Sequence, residues 1–206
     1  MKKILFATVM SLFAIVMQAQ DNALLQKVES ANAGMPNIEA HFVQTKHLVA
    51  TDKQIVTEGT LYIADNDKMA MYYNEPSSDL LVINGEQFYM KQGKRARLYN
   101  TAKNKPMASL SNTLLSCVRG RVADLAQQNN ADITAQKGSK GYEVTLVSRE
   151  KKAKGYAQID LVYDAKSLIL VYMKMTEFNG ISNTYEMSQI KTGTTIDAAK
   201  FQAPAK

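Results

Sequence analysis

From Asn37 onward, apolar and polar positions alternate with a period of two, the spacing that predicts strands. In NIEAHFVQTKHLV, Ile38, Ala40 and Phe42 share one face, and Glu39, His41 and Val43 the other. KQIVTEGTLYIAD sets Ile55, Leu61 and Ile63 against Val56 and Tyr62. KMAMYY, DLLVI, EQFYMK and RARLY follow, separated by Asp65-Asn66-Asp67, Glu75-Pro76, Asn84-Gly85 and Gln92-Gly93. Asn-Gly between apolar runs is a strong hairpin signal, because both residues tolerate the positive φ of a tight turn. A second group of strand-like segments runs from ADITAQ through YEVTLVS, YAQIDLVYD and LILVYMKMTEF to ISNTYEMSQIK. Helical spacing interrupts the alternation twice. Asp21 to Ala33 carries Leu24, Leu25 and Val28 on one stripe and stops at Gly34 and Pro36. KPMASLSNTLLSCVRGRVADLAQQNN carries Leu110, Leu114, Leu115 and Val118, then Val122, Leu125 and Ala126, with Gly120 dividing two short helices. The pattern predicts about eleven antiparallel strands and three helices.

Several strands are apolar on both sides, such as Leu80 to Ile83 and Leu168 to Met173. An antiparallel sheet with one wet face alternates cleanly, so both faces here are at least partly covered. Three short helices are too few for a solid second layer. The fold class is therefore mainly β (α+β): a strongly curved antiparallel sheet, or incomplete β-barrel, with a short helical lid. KMAMYY and VYMKMTEF place methionines at alternate positions, Met69 and Met71, then Met173 and Met175. Methionine is flexible and polarisable, which suits either a plastic core or the wall of a site for a flexible apolar ligand.

Composition adds bounds. The chain opens MKKILFATVMSLFAIVMQAQ, with two lysines followed by an apolar run shorter than a membrane-spanning helix. Residues 1–19 are expected to be a cleaved signal peptide and 20–206 a single carrier-sized domain. Loss of Lys2 and Lys3 takes the net charge from +6 to +4. Lys91 to Arg97 and Arg149 to Lys154 are the dense basic stretches. Both fall at expected turns without an aromatic platform, which argues against nucleic-acid binding. The single cysteine, Cys117, lies in an apolar helical segment and reads as a buried, inert thiol.

No catalytic arrangement emerges: the chain has no G-x-S-x-G, H-E-x-x-H or C-x-x-C. His41 and His47 are six residues apart on one expected strand, about 20 Å, which is too far to share a metal ion. Neither an enzyme, a cofactor nor a metal site is expected.

In their order and spacing, the segments resemble the family of periplasmic outer-membrane lipoprotein carriers, LolA. The resemblance runs from NIEAHFVQ through EGTLYIA and YYNEPSSDLLVINGEQFYMK to TYEMSQIKTGTTIDAAKF, whose D-x-x-x-F ending is similar to that of the family. It implies an incomplete barrel with a helical lid. It also implies a monomeric periplasmic carrier that takes lipoprotein acyl chains from an inner-membrane ABC transporter to an outer-membrane acceptor. The acyl cavity would be lined on one half of the sheet by Met69, Met71, Tyr73, Leu81, Ile83 and Phe88, with Met90 beside them. Met173 and Met175 would line the other half, and the lid would contribute Leu114, Leu115 and Val118. On this reading Met71→Glu or Met173→Glu lowers acyl binding without unfolding the domain. One departure stands out. Where the family has an Arg-Pro pair whose arginine tethers the lid, this chain has Asp65 and Asn66. Two rival readings are a same-fold carrier of another lipid or pigment, and a module that senses mislocalised lipoproteins.

Overall fold

The computed structural model describes residues 22–65, 67–150 and 155–204. The expected signal peptide lies outside these residues. Helix α1 (22–33) precedes six strands: β1 (Ile38–Leu48), β2 (Lys53–Ala64), β3 (Lys68–Tyr73), β4 (Leu80–Asn84), β5 (Gln87–Gln92) and β6 (Arg95–Asn100). Helices α2 (Lys105–Val118) and α3 (Val122–Gln128) follow. Five more strands complete the chain: β7 (Ala131–Lys137), β8 (Tyr142–Ser148), β9 (Tyr156–Tyr163), β10 (Leu170–Glu177) and β11 (Ser182–Thr192).

The strands form one antiparallel sheet in the order β6-β5-β4-β3-β2-β1-β11-β10-β9-β8-β7. Every neighbour is a hairpin partner except at the centre, where β1 pairs with β11 and joins two meanders. Strands β6 and β7 remain unpaired with each other, so the barrel is incomplete. The α2–α3 segment connects these two edges. The central strands are the longest. The β1–β11 register shifts between Glu39 and His41, and Gln189 of β11 takes a positive φ of 51°. An extra residue in one strand of a pair bends the sheet and raises its twist.

Gly59 marks the sharpest approach. A Cβ there would lie 1.9 Å from the Tyr72 carbonyl oxygen of the adjacent strand. Gly59 stands opposite Phe42 on one side and Tyr73 on the other. Their rings meet edge-on, 5.0 Å between centroids, and occupy the inner space that a side chain at Gly59 would otherwise fill.

Alternation sends Ile38, Ala40 and Phe42 of β1, Leu61 and Ile63 of β2, and Met69 and Met71 of β3 into the concave face. Leu25 and Val28 of α1 and the buried half of α2 pack onto that layer. The convex face of β2 to β5 carries a second, smaller core: Ala64, Ala70, Leu80, Val82 and Tyr89 around Phe201. The polar-looking C-terminal tail thus acts as a strap. Asp197 caps its short 3-10 turn by accepting from the Ala199 amide, and Phe201 plugs the sheet. Tyr72 donates to the Lys200 carbonyl at 2.9 Å, and Asn84 Nδ2 donates to the Phe201 carbonyl at 3.1 Å. The strap explains why β4 is apolar on both sides, a covering that the lid alone does not supply.

Candidate functional site

Helix α2 has two halves of different character. Pro106 sits in its first turn, and Asn104 caps it by accepting from the Met107 amide at 3.2 Å. From Lys105 to Leu110 the helix is exposed or half-buried; from Ser111 to Val118 it is almost wholly buried. The buried end is pinned. Tyr163, wholly buried on β9, donates its hydroxyl to the Cys117 carbonyl at 2.6 Å. Burial pushes the Cys117 thiol up to about 12, so it stays an un-ionised core side chain.

Arg119, just past the helix, reaches across to the β half of the molecule. It donates to the Met35 carbonyl at 3.3 Å and to the Asp65 carbonyl. Its side chain is buried. Burial and the nearby Arg121 guanidinium lower its affinity for a proton, which raises the value of every oxygen it can reach. Hydrogen bonds to a charged donor are worth about 1.5–3 kcal/mol each. Asp65 stands at the position of the lid-tethering arginine that the resemblance implies, and here the cation is at the end of α2 while the acceptors are carbonyls of the α1–β1 connection and the β2–β3 turn. Gly120 completes the anchor. It takes a φ of +69°, and a Cβ there would meet Val28 of α1 at 2.9 Å. The pinned half therefore docks against both the barrel and α1.

Two cavities lie against the first half of α2 and the start of its buried half. The first, about 330 Å³, opens among β1, β3, β4, β5 and β11. Its wall is mixed. Tyr73, Leu81, Met90 and Met175 supply apolar surface, and a chain of polar groups crosses the strands behind them. Tyr73 donates its hydroxyl to Gln44 Oε1 at 2.6 Å, and Gln44 Nε2 donates to Asn183 Oδ1 at 2.9 Å. Burial raises the pKa of the Tyr73 and Tyr185 hydroxyls well above the ordinary tyrosine value, so both stay neutral. The second cavity, about 450 Å³, lies between α2, α3 and strands β8 and β9. Met107, Leu125, Leu146, Ile159 and Phe178 line it, together with Glu150 and Glu177.

All twelve residues expected at the cavity belong to the concave core or pack against it. They divide by packing. Tyr73, Leu81, Met90, Leu114 and Met175 line the first cavity. Met69, Met71, Ile83, Phe88 and Met173 are at most 3 % exposed and sit in close-packed parts of the sheet. Leu115 and Val118 hold the buried end of α2. The concave face is thus filled in the middle, where α1 and the end of α2 dock, and hollow toward the other end of α2. Residues that sequence reasoning passed over are Gln44, Asn183, Leu110 and Tyr156, which border the cavities, and Arg119, which anchors the lid. The histidines pair locally, His47 with Asp52 at 2.9 Å and His41 with Glu58 at 3.4 Å.

An unclosed antiparallel barrel whose hollow is roofed by a helix defines the class: a LolA-like open barrel. The model of the family described as outer membrane lipoprotein carrier protein LolA matches residues 33–204, and the chain belongs to that family. Among solved structures, a putative outer membrane lipoprotein-sorting protein domain from Vibrio parahaemolyticus superposes with a TM-score of 0.51 at 11% identity, covering 89% of this chain and 96% of that one. A LolA superfamily protein from Nitrosomonas europaea gives 0.45 at 7% identity, over 89% and 97%. The lipoprotein LppX of Mycobacterium tuberculosis gives 0.40 at 14%, over 86% and 100%. At such identities the likeness is one of fold. No curated protein matches the chain.

Proposed function

We propose that the chain is a periplasmic lipoprotein carrier. It receives lipoprotein acyl chains from an inner-membrane ABC transporter, shields them as a monomer, and yields them to an outer-membrane acceptor. The observation that carries this reading is the placement of both cavities against α2, between its exposed first half and the start of its buried half, with Leu110 lining both. A sixteen-carbon chain costs on the order of 12 kcal/mol to expose to water, at ~0.8 kcal/mol per methylene. The carrier has to offset that cost and still release the chain. A roof fixed at Arg119 and Tyr163 but loosely seated over the cavities can lift without dissolving the core.

The polar groups crossing the first cavity favour a second reading, a same-fold carrier of a different polar lipid. Native mass spectrometry of the protein purified from its own periplasm separates the two. The lipoprotein reading predicts a one-to-one complex with triacylated protein. Recovery of free lipid alone, with no lipoprotein, would favour the second.

A further inference from the structure

The two cavities share two wall residues. Leu110 of α2 and Tyr156 at the start of β9 line both, and both are half-buried. One comes from the unpinned half of α2 and the other from the β7–β11 half of the barrel. The cavities differ in chemistry on either side of this pair. The first holds the hydrogen-bonded row Tyr73–Gln44–Asn183, built from β3, β1 and β11. The second is walled mainly by apolar side chains, Met107, Leu125, Leu146 and Ile159 among them, with Thr113, Gln158, Glu150 and Glu177 also in its lining. A saturated chain offers no hydrogen bonds, so a row of amides and a neutral phenol on a cavity wall serves a ligand's polar linkage. An apolar cavity beside it serves a tail.

We propose that the two cavities form one binding channel for a single acyl ligand. Its ester, amide or carboxyl linkage lies against Gln44 and Asn183, and its tail passes between Leu110 and Tyr156 into the second cavity. This rests on the carrier reading and deepens it. Leu110 and Tyr156 are then the gate of the channel. Because Leu110 is on the unpinned half of α2, lifting the roof widens the gate and frees the tail in the same motion. The gate also sets a length rule. Short chains are satisfied by the first cavity, and only longer ones reach the second.

The test is a chain-length series: fatty acids of eight to sixteen carbons displacing a dansyl-labelled fatty acid from the mature protein. For the native chain, affinity rises about fourfold for each methylene that becomes buried, through the whole series. Leu110→Trp narrows the gate, and Met107→Trp fills the second cavity from the lid. Both positions are half-exposed, so either variant suffices if the other folds poorly. Each is expected to bind the shortest acids as the native chain does and to lose the gain beyond them, tenfold or more at sixteen carbons. Gln44→Leu is expected to weaken all lengths by a similar factor. A uniform effect of both tryptophan variants across the series, or no effect, overturns the channel and leaves the carrier reading standing. Failure of the native chain to bind any acid of the series overturns both.

Discussion

Phe201→Ala is expected to lower the unfolding free energy by about 3 kcal/mol, within the range for emptying a buried aromatic site. Phe201 is 3 % exposed and fills the convex face of β2 to β5, against Ala64, Ala70, Leu80, Val82 and Tyr89. No other described residue of the strap is buried to the same degree. Ile196 and Ala203 pack only in part, and Lys200 spans the Tyr62 and Tyr72 rings from 5.2 and 5.0 Å. Without the phenyl ring, the polar contacts left near the end of the strap are hydrogen bonds from Tyr72 and Asn84, worth about 1 kcal/mol each, with Asn37 holding only its beginning at Gly193 and Thr194. The strap would detach and wet one side of four strands. In a domain of this size, 3 kcal/mol corresponds to a fall in Tm of roughly 6–12 °C. Thermal unfolding measures it, and hydrogen exchange should speed first in β3 and β4. A fall of under about 1 kcal/mol would show that the strap is an ornament on an already covered sheet.

Leu81→Glu is expected to raise the Kd for a sixteen-carbon acyl probe about 100-fold, a loss of ~2.8 kcal/mol at 1.4 kcal/mol per tenfold. Leu81 is half-buried on β4 and lines the first cavity. The substitution removes an apolar contact and places a carboxylate where the chain would lie. The empty protein should tolerate it, because the side chain can reach water through the cavity mouth. Contact with an apolar ligand disfavours the charged form and raises the carboxyl's pKa. The affinity loss is therefore full above that raised value and shrinks as pH falls through it. Val56→Glu, 63 % exposed on the β1–β2 hairpin, is the matching control and should change nothing. Equal weakening by both variants would place the ligand outside the cavity.

Strands and turns were legible because most strands have one face in the core and one covered only in part. Alternation then survives, and Asn84-Gly85 and Asn179-Gly180 punctuate it. The two methionine strips do share the concave face, as their spacing predicts. What spacing cannot convey is whether a concave position meets a neighbour or a void. Met71 and Met173, at 3 % and 2 % exposure, are not among the residues lining either cavity, so a glutamate there is expected to strike the fold itself. Only the docking of α1 and the end of α2 decides this, and both are tertiary events. The Gln44–Asn183 contact joins residues 139 positions apart and becomes visible only once β1 is known to pair with β11. The sequence carries two further signals, one at the end of α2 and one within the D-x-x-x-F ending. Arg119 is the first charge after an apolar helical run, beside a glycine, where a C-terminal cation has carbonyls to satisfy. Ile196 and Phe201 flank Asp197 in a tail otherwise polar, a capped turn with two apolar anchors.

The reversed tether bears on release. With the cation on the lid, the pinned end of α2 keeps both hydrogen bonds while its other half moves, so opening need not expose a buried charge. The hinge is expected near the boundary between Leu110 and Ser111, where burial changes along the helix.

The most direct measurement is a release assay. Mature protein is added to spheroplasts of its own bacterium, and the supernatant is probed for triacylated lipoprotein bound to the carrier. The account predicts soluble one-to-one complexes that appear with the native protein and fall sharply with Leu81→Glu. A supernatant without lipoprotein, from a native protein that binds acyl probes normally, would contradict the account.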